Sequence, residues 1–203
     1  MALSKIDVAN MVTGATPVAN GGTGLSSGTS GQFLKFTGST TLASAAGGGI
    51  THAQKWRLNS GFTGDADPIT SNLEAVDSDG YGSLGSAMTV SSGIWTFPVT
   101  GIWLIKMTVQ FHVNADSRTN QLVINTTTDG SSFGQASKND AGIAHSQNSH
   151  TYNTGTNDFI FDVTNVSTHK VSFSTNVNDD SGTTAGETNV NRTHFTFIRL
   201  GDT

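Results

Sequence analysis

The chain has 203 residues, a net charge of −5, 12% charged residues and 34% hydrophobic ones. That length accommodates one domain with an appendage, or two small domains. The acidic balance and the lack of a basic patch argue against a nucleic-acid partner. No run reaches the roughly 18 apolar residues of a membrane span. The N-terminal MALSKIDVANMVTGA has no apolar signal-peptide core. The absence of cysteine excludes disulfides and thiolate metal sites and fits synthesis in a reducing cytosol. Sequons at Asn125, Asn165 and Asn191 read as chance in an Asn/Thr-rich chain. Thr favours strands while Gly, Asn and Ser supply turns, so the composition is all-β.

Taken in order, residues 1–50 are rich in Gly, Ser, Thr and Ala and poor in large apolar side chains. Such a segment cannot bury a core alone. It reads either as a linker or as an attachment or shaft segment that gains order from other chains. Ala45–Gly49 is a hinge into residues 51–203, where the aromatics cluster. Strands are expected at 54–58, 72–76, 88–90 and 94–97. The longest alternation follows. Trp103, Ile105, Met107, Val109, Phe111 and Val113 fall on one face, and Leu104, Lys106, Thr108, Gln110 and His112 on the other. Further strands are expected at 121–126, 158–163, 170–177 and 193–200. Polar loops are expected at 61–68, 127–155 and 178–192. Eight to ten strands separated by Gly, Asn, Asp and Ser turns indicate a sandwich or barrel.

Two stretches carry family resemblances. Pro17-Val18-Ala19-Asn20-Gly21-Gly22-Thr23-Gly24 resembles the PVANGGTG element of bacteriophage tail-fibre and related virion proteins. Gly31-Gln32-Phe33-Leu34-Lys35 with Thr37-Gly38-Ser39 resembles the short segments that follow it there. That resemblance implies a virion-side anchor or a fibre shaft. Gly93-Ile94-Trp95-Thr96-Phe97-Pro98-Val99-Thr100-Gly101-Ile102-Trp103 resembles the G-x-Y-x-F-x-x-x-G-x-Y core of complement-globular-head and tumour-necrosis-factor-like domains, with Trp95 and Trp103 where Tyr is usual. Phe195–Leu200 resembles their last strand. This second resemblance implies an all-β jelly-roll sandwich that assembles as a homotrimer.

Several short motifs lack the context their chemistry needs. Gly80-Tyr81-Gly82-Ser83-Leu84-Gly85 matches a dinucleotide fingerprint but has no strand before it and no helix after it. Gly24-Leu25-Ser26-Ser27-Gly28 matches a nucleophile elbow inside a low-complexity segment. Asp77-Ser78-Asp79-Gly80 opens like a calcium loop, yet Met88 stands where the bidentate Glu belongs. No catalytic, cofactor-binding or metal-ligating residue is therefore assigned.

The resemblance instead points to Leu104, Thr108, Gln110, His112 and His194 as trimer-interface residues. On the three-fold axis of such a trimer, copies of one histidine could meet and hold a metal or anion. Phe133, Tyr152 and Tyr81 are the candidate receptor contacts, as aromatic residues expected in loops. The expected protein is a non-enzymatic virion fibre or spike, made in the bacterial cytoplasm. Its partners would be two further copies, other virion proteins and a bacterial surface glycan or protein. A capsid-decorating head fibre and a tail-spike enzyme acting on surface glycans are the alternatives, with a non-viral bacterial surface trimer as a third.

Overall fold

The computed structural model describes residues 29–38, 41–45, 48–146 and 148–203. The PVANGGTG stretch and the serine motif at 24–28 lie outside them. The chain divides into two compact units, Met1–Gly49 and Ile50–Thr203. In the first, β1 (Phe33–Phe36) and β2 (Leu42–Ala45) form an antiparallel hairpin. Phe33, Leu34 and Phe36 are all exposed on it. Among the described residues no third strand joins it, and a two-stranded hairpin by itself is marginal in water.

The second unit is built from β3 (Ala53–Leu58), β4 (Ser60–Thr63), β5 (Leu73–Ala75), β6 (Thr89–Ser91), β7 (Ile94–Thr96), β8 (Gly101–Val113), β9 (Gln121–Thr127), β10 (Gly134–Asp140), β11 (Thr151–Val163), β12 (Lys170–Asn176), β13 (Thr183–Glu187) and β14 (His194–Gly201). No helix occurs among the described residues. A five-stranded sheet has the order β10-β9-β12-β7-β6. A seven-stranded sheet has the order β4-β13-β8-β14-β3-β5, with β11 paired to β8 as well. All named pairings in the unit are antiparallel. The fold is the expected all-β jelly-roll sandwich.

β8 is the spine of the larger sheet. Along one edge it pairs with β11 from Val113↔Thr151 to Gly101↔Val163. The other edge is shared by β14 and β13. Its inward side chains, Trp103 through Val113 at every second position, are buried to 1% exposure or less. Across the core, Trp95 of β7 meets Trp56, Phe173, Phe195 and Phe197 at ring-centroid distances of 4.9–6.1 Å. Tilted and edge-on contacts of this kind suit the aromatic quadrupole. Trp95 reaches the core because β6 and β7 are joined by a two-residue turn. Ser92 (φ 49°) and Gly93 (φ 76°) both have positive φ, the signature of a type I′ turn. A Cβ on Gly93 would lie 2.5 Å from the Ile69 carbonyl oxygen.

The three expected polar loops contain strands: β4 in the first, β10 and half of β11 in the second, β13 in the third. In β10, β13 and the first part of β11 the inward positions lack the large apolar side chains that reveal a strand, and β4 turns Phe62 inward but is only four residues long. On β11, Gly155 and Asn157 face inward. A Cβ at Gly155 would meet Leu122 Cδ2 at 2.6 Å, so the packed neighbour occupies that space. Buried Asn157 stitches the two sheets, its Nδ2 donating to the Leu122 carbonyl and its Oδ1 accepting from Ser137 Oγ.

Trp95→Ala or Phe173→Ala should lower unfolding free energy by about 3–5 kcal/mol in chemical denaturation, from lost burial plus the cavity left behind. Phe133→Ala, on an exposed loop, should stay within about 0.5 kcal/mol.

Candidate functional site

The outward face of the seven-stranded sheet carries side chains that alternate out of the core. Register places an apolar row across it. Leu104 stands opposite Ile160 on one side and Ile198 on the other, Ile198 opposite Ala53, and Ala53 bridges to Leu84. Ile160 is 58% exposed and Leu84 52%, with Leu200 of β14 at 47%. The next row is charged and polar: Asp158, Lys106, Thr196 and Lys55. The row after it contains Thr156, Thr108, His194 and Arg57.

Arg57 is buried on this face and every guanidinium nitrogen is used. Nε donates to Glu74 Oε2 (3.0 Å), Nη1 to Ser78 Oγ (2.9 Å) and Nη2 to Asp77 Oδ1 (2.8 Å). The hydrogen bond from Arg57 holds the Glu74 carboxyl below its ordinary range, with further help from Thr188. The Asp77–Gly80 turn, which opens like a calcium loop, thus serves to clamp an arginine. Among the described residues no group of three His, Asp or Glu is arranged to hold a metal.

At the far end of the face His112 of β8 stands opposite Tyr152 of β11 and Thr183 of β13. Its ring lies 5.0 Å from Tyr152 and 5.3 Å from His150. A hollow of about 200 Å³ opens there, lined by His112, Tyr152, Thr183, Arg192, Gly61 and Gly186. His112 Nδ1 is buried without a hydrogen-bond partner among the described residues. Arg192 donates from Nε to Glu187 (2.6 Å) and from Nη1 to Gln110 Oε1 (2.9 Å).

The structure therefore brings Leu104, Thr108, Gln110, His112 and His194 onto one face. The three aromatic candidates are scattered. Tyr152 lies in β11 rather than in a loop, because the Thr/Asn/Gly sequence around it hides the strand. Tyr81 is half-buried and its hydroxyl accepts from the Lys55 amide (2.6 Å). Phe133 stays in an exposed loop. Ile160 and Ile198 escaped sequence reasoning. The continuous apolar run Phe159-Ile160-Phe161, with no polar residue at the outward position, was the available signal.

Both histidines of this face have their pKa pushed below the ordinary 6.5. For His112 the cause is burial, then the nearby His150 and Arg192 charges. For His194 it is burial first, then Lys55 and Lys106, opposed by the Asn191 and Arg192 carbonyls. By contrast His169 is a satisfied core residue, with both ring nitrogens bonded to Thr164 and Thr168 and its ring stacked on Phe161.

No family model matches the chain, and no curated protein matches its sequence. Among solved structures it is similar to murine APRIL at pH 5.0, with a TM-score of 0.50 and 11% identity, covering 73% of this chain and 98% of that one. The pH 8.0 structure of murine APRIL gives a TM-score of 0.47 and 12% identity over the same shares. At 11% identity the likeness concerns fold. Residues 50–203 have the jelly-roll architecture of the tumour-necrosis-factor type.

An imidazole with a depressed folded pKa stays neutral while the unfolded chain takes up the proton near 6.5. Stability is therefore intact above that value and lost as pH falls below it. The thermal midpoint should drop between about pH 7.5 and about pH 5, and His194→Gln should flatten that drop. An unchanged slope in the variant would show that His194 is not responsible.

Proposed function

We propose that the chain is a non-enzymatic fibre or spike protein of a bacteriophage particle, working as a homotrimer. The N-terminal segment joins it to other virion proteins and the jelly roll meets the bacterial surface. One observation carries the trimer. The row Ile160–Leu104–Ile198–Ala53–Leu84 is an apolar band on the outward face of a sheet whose opposite face already fills the core. Full burial of an exposed aliphatic side chain of this size gains about 1.5–3 kcal/mol, and Ile160 (58% exposed) and Leu84 (52%) would each gain roughly half of that. The Asp158/Lys106 row and, beyond it, the Thr108/His194 row supply a polar margin along one side of the band, of the kind interfaces keep beside an apolar centre. The face is self-complementary in kind, so a second copy of the chain is the occupant that fits it.

Two further features support the particle assignment: the PVANGGTG resemblance, and the exposed Phe33/Leu34/Phe36 hairpin, which needs a partner surface to be stable. The mechanism is binding without bond breakage. Three equivalent weak sites on one rigid body, repeated over a particle, raise the effective concentration of each site for its receptor. The protein is made in the host cytoplasm and ends in the virion.

Light scattering of purified protein should give a mass near three times 21.1 kDa. A monomer at micromolar concentration would contradict the trimer. Ile160→Glu combined with Leu104→Glu should shift the mass to one chain while keeping the β-rich circular dichroism. A truncated chain lacking residues 1–50 should stay folded but no longer enter particles in a phage-incorporation assay. Incorporation at the full-length level would defeat the anchor role.

A further inference from the structure

The outward face of the five-stranded sheet holds a trough of about 310 Å³ that none of the features above uses. Its floor is small. Ser174 of β12 and Val123 of β9 stand in register at its centre, each 6% exposed. Side-chain amides rise on one side, from Gln121 and Asn125 of β9 and Gln135 of β10. The opposite wall comes from a segment distant in sequence. Ala66 and Thr175 exchange both backbone hydrogen bonds at 2.9 Å, and Ile69 N donates to the Phe173 carbonyl at 2.8 Å. This pairing sets residues 65–68 along the free edge of β12 and brings Asp65 and Asp67 to the trough.

The polar groups are pre-arranged. Ser174 Oγ donates to Asp67 Oδ1 (2.5 Å) and accepts from Asn125 Nδ2 (2.9 Å). Asp65 accepts from Asn176 Nδ2 and from the Val177 amide, both at 2.7 Å. Much capacity is left over. The second Asp67 oxygen, Asn125 Oδ1 and Asn176 Oδ1 remain as acceptors. The whole amides of Gln121 and Gln135 make no hydrogen bond with the described residues.

We propose that this trough is a saccharide subsite that takes a neutral, hydroxyl-rich sugar ring. The lining mixes free donors with free acceptors, and each sugar hydroxyl is both. An anion would face two carboxylates. Lys138 of β10 is exposed, stands in register with Val123 and does not line the trough. An apolar ligand would strip water from amides and give nothing back. The small floor lets a flat ring settle between the walls. The trough lies on the sheet opposite the one assigned to self-association, so three copies in a trimer would each keep theirs open. The proposal rests on the fibre reading only for the source of the sugar, a bacterial surface.

The test is saturation-transfer NMR of the full chain with glucose, galactose, mannose, rhamnose and N-acetylglucosamine, with glucuronate as the acidic comparison, each up to about 20 mM, a range that captures weak single-site binding. At least one neutral sugar should receive saturation. Gln121→Ala with Gln135→Ala should weaken it by about tenfold, the loss expected when about 1.4 kcal/mol of contact is removed. The thermal midpoint should not move, because neither amide has a partner to lose. Failure of all five neutral sugars, preference for glucuronate, or a signal that survives the double variant would overturn the site. A trimer that binds no sugar would reject this site and leave the fibre reading standing. A monomer that binds sugar through Gln121 and Gln135 would do the reverse.

Discussion

The strand Gly101–Val113 is hydrogen-bonded along both edges, to β11 on one side and to β14 and β13 on the other. Nearly everything in residues 50–203 depends on that pairing. Because successive side chains alternate between faces, fixing one face fixes the other. The inward set Trp103, Ile105, Met107, Val109, Phe111 and Val113 is apolar throughout and essentially dry. A one-residue slip would send all six into solvent and bring Lys106 and Gln110 into the core, so the register is strongly determined. The outward set is then presented as a surface whose composition is not free to drift. That surface contains Leu104 between Ile160 and Ile198.

The two sheets of the sandwich have unlike outer faces, and the difference is chemical. The seven-stranded sheet offers an aliphatic band edged by charge, with a buried arginine hydrogen-bonded through each of its three guanidinium nitrogens and two histidines whose pKa burial lowers. Such a face gains by losing water. The five-stranded sheet offers small residues and amides with unused hydrogen-bonding capacity, which gains nothing from a dry partner but can exchange water for hydroxyl groups. One sandwich can therefore hold its own copies on one side and meet a ligand on the other, without either surface having to serve both ends.

What the sequence displayed well was the part written in large apolar side chains. The Trp103–Val113 alternation and the run of short strands between Gly, Asn, Asp and Ser turns were sufficient for an all-β sandwich, and the aromatics clustered after residue 51, Trp95 and Phe173 among them, fill its core. β10, β13 and the first part of β11 were hidden because their inward positions are filled by small or polar residues such as Gly155, Asn157, Thr184 and Ala185, which leave no hydrophobic period to read, and β4 because four residues with the single inward Phe62 are too short to show one. Tyr152 was misplaced in a loop for that reason. The outward position of the candidates on β8 was legible from parity, while their choice as interface residues came from the family resemblance. Their neighbours were not legible, since Ile160 meets Leu104 only through a register between strands some fifty residues apart. The trough was further still from view. Asp67 reaches Ser174 across 107 residues, through a pairing made by backbone atoms that carry no sequence signature.

The claim on which the functional account turns is that the Leu104–Ile160–Ile198 band lies against another copy of the chain. Isotope-filtered NMR on a mixture of ¹³C-methyl-labelled and unlabelled protein measures this directly. The account predicts intermolecular nuclear Overhauser effects at the methyls of Leu104, Ile160 and Ile198, and none at the buried methyls of Ile105 or Val109. If those three methyls show contacts only within their own chain, the face is an ordinary solvent surface and the homotrimer is contradicted.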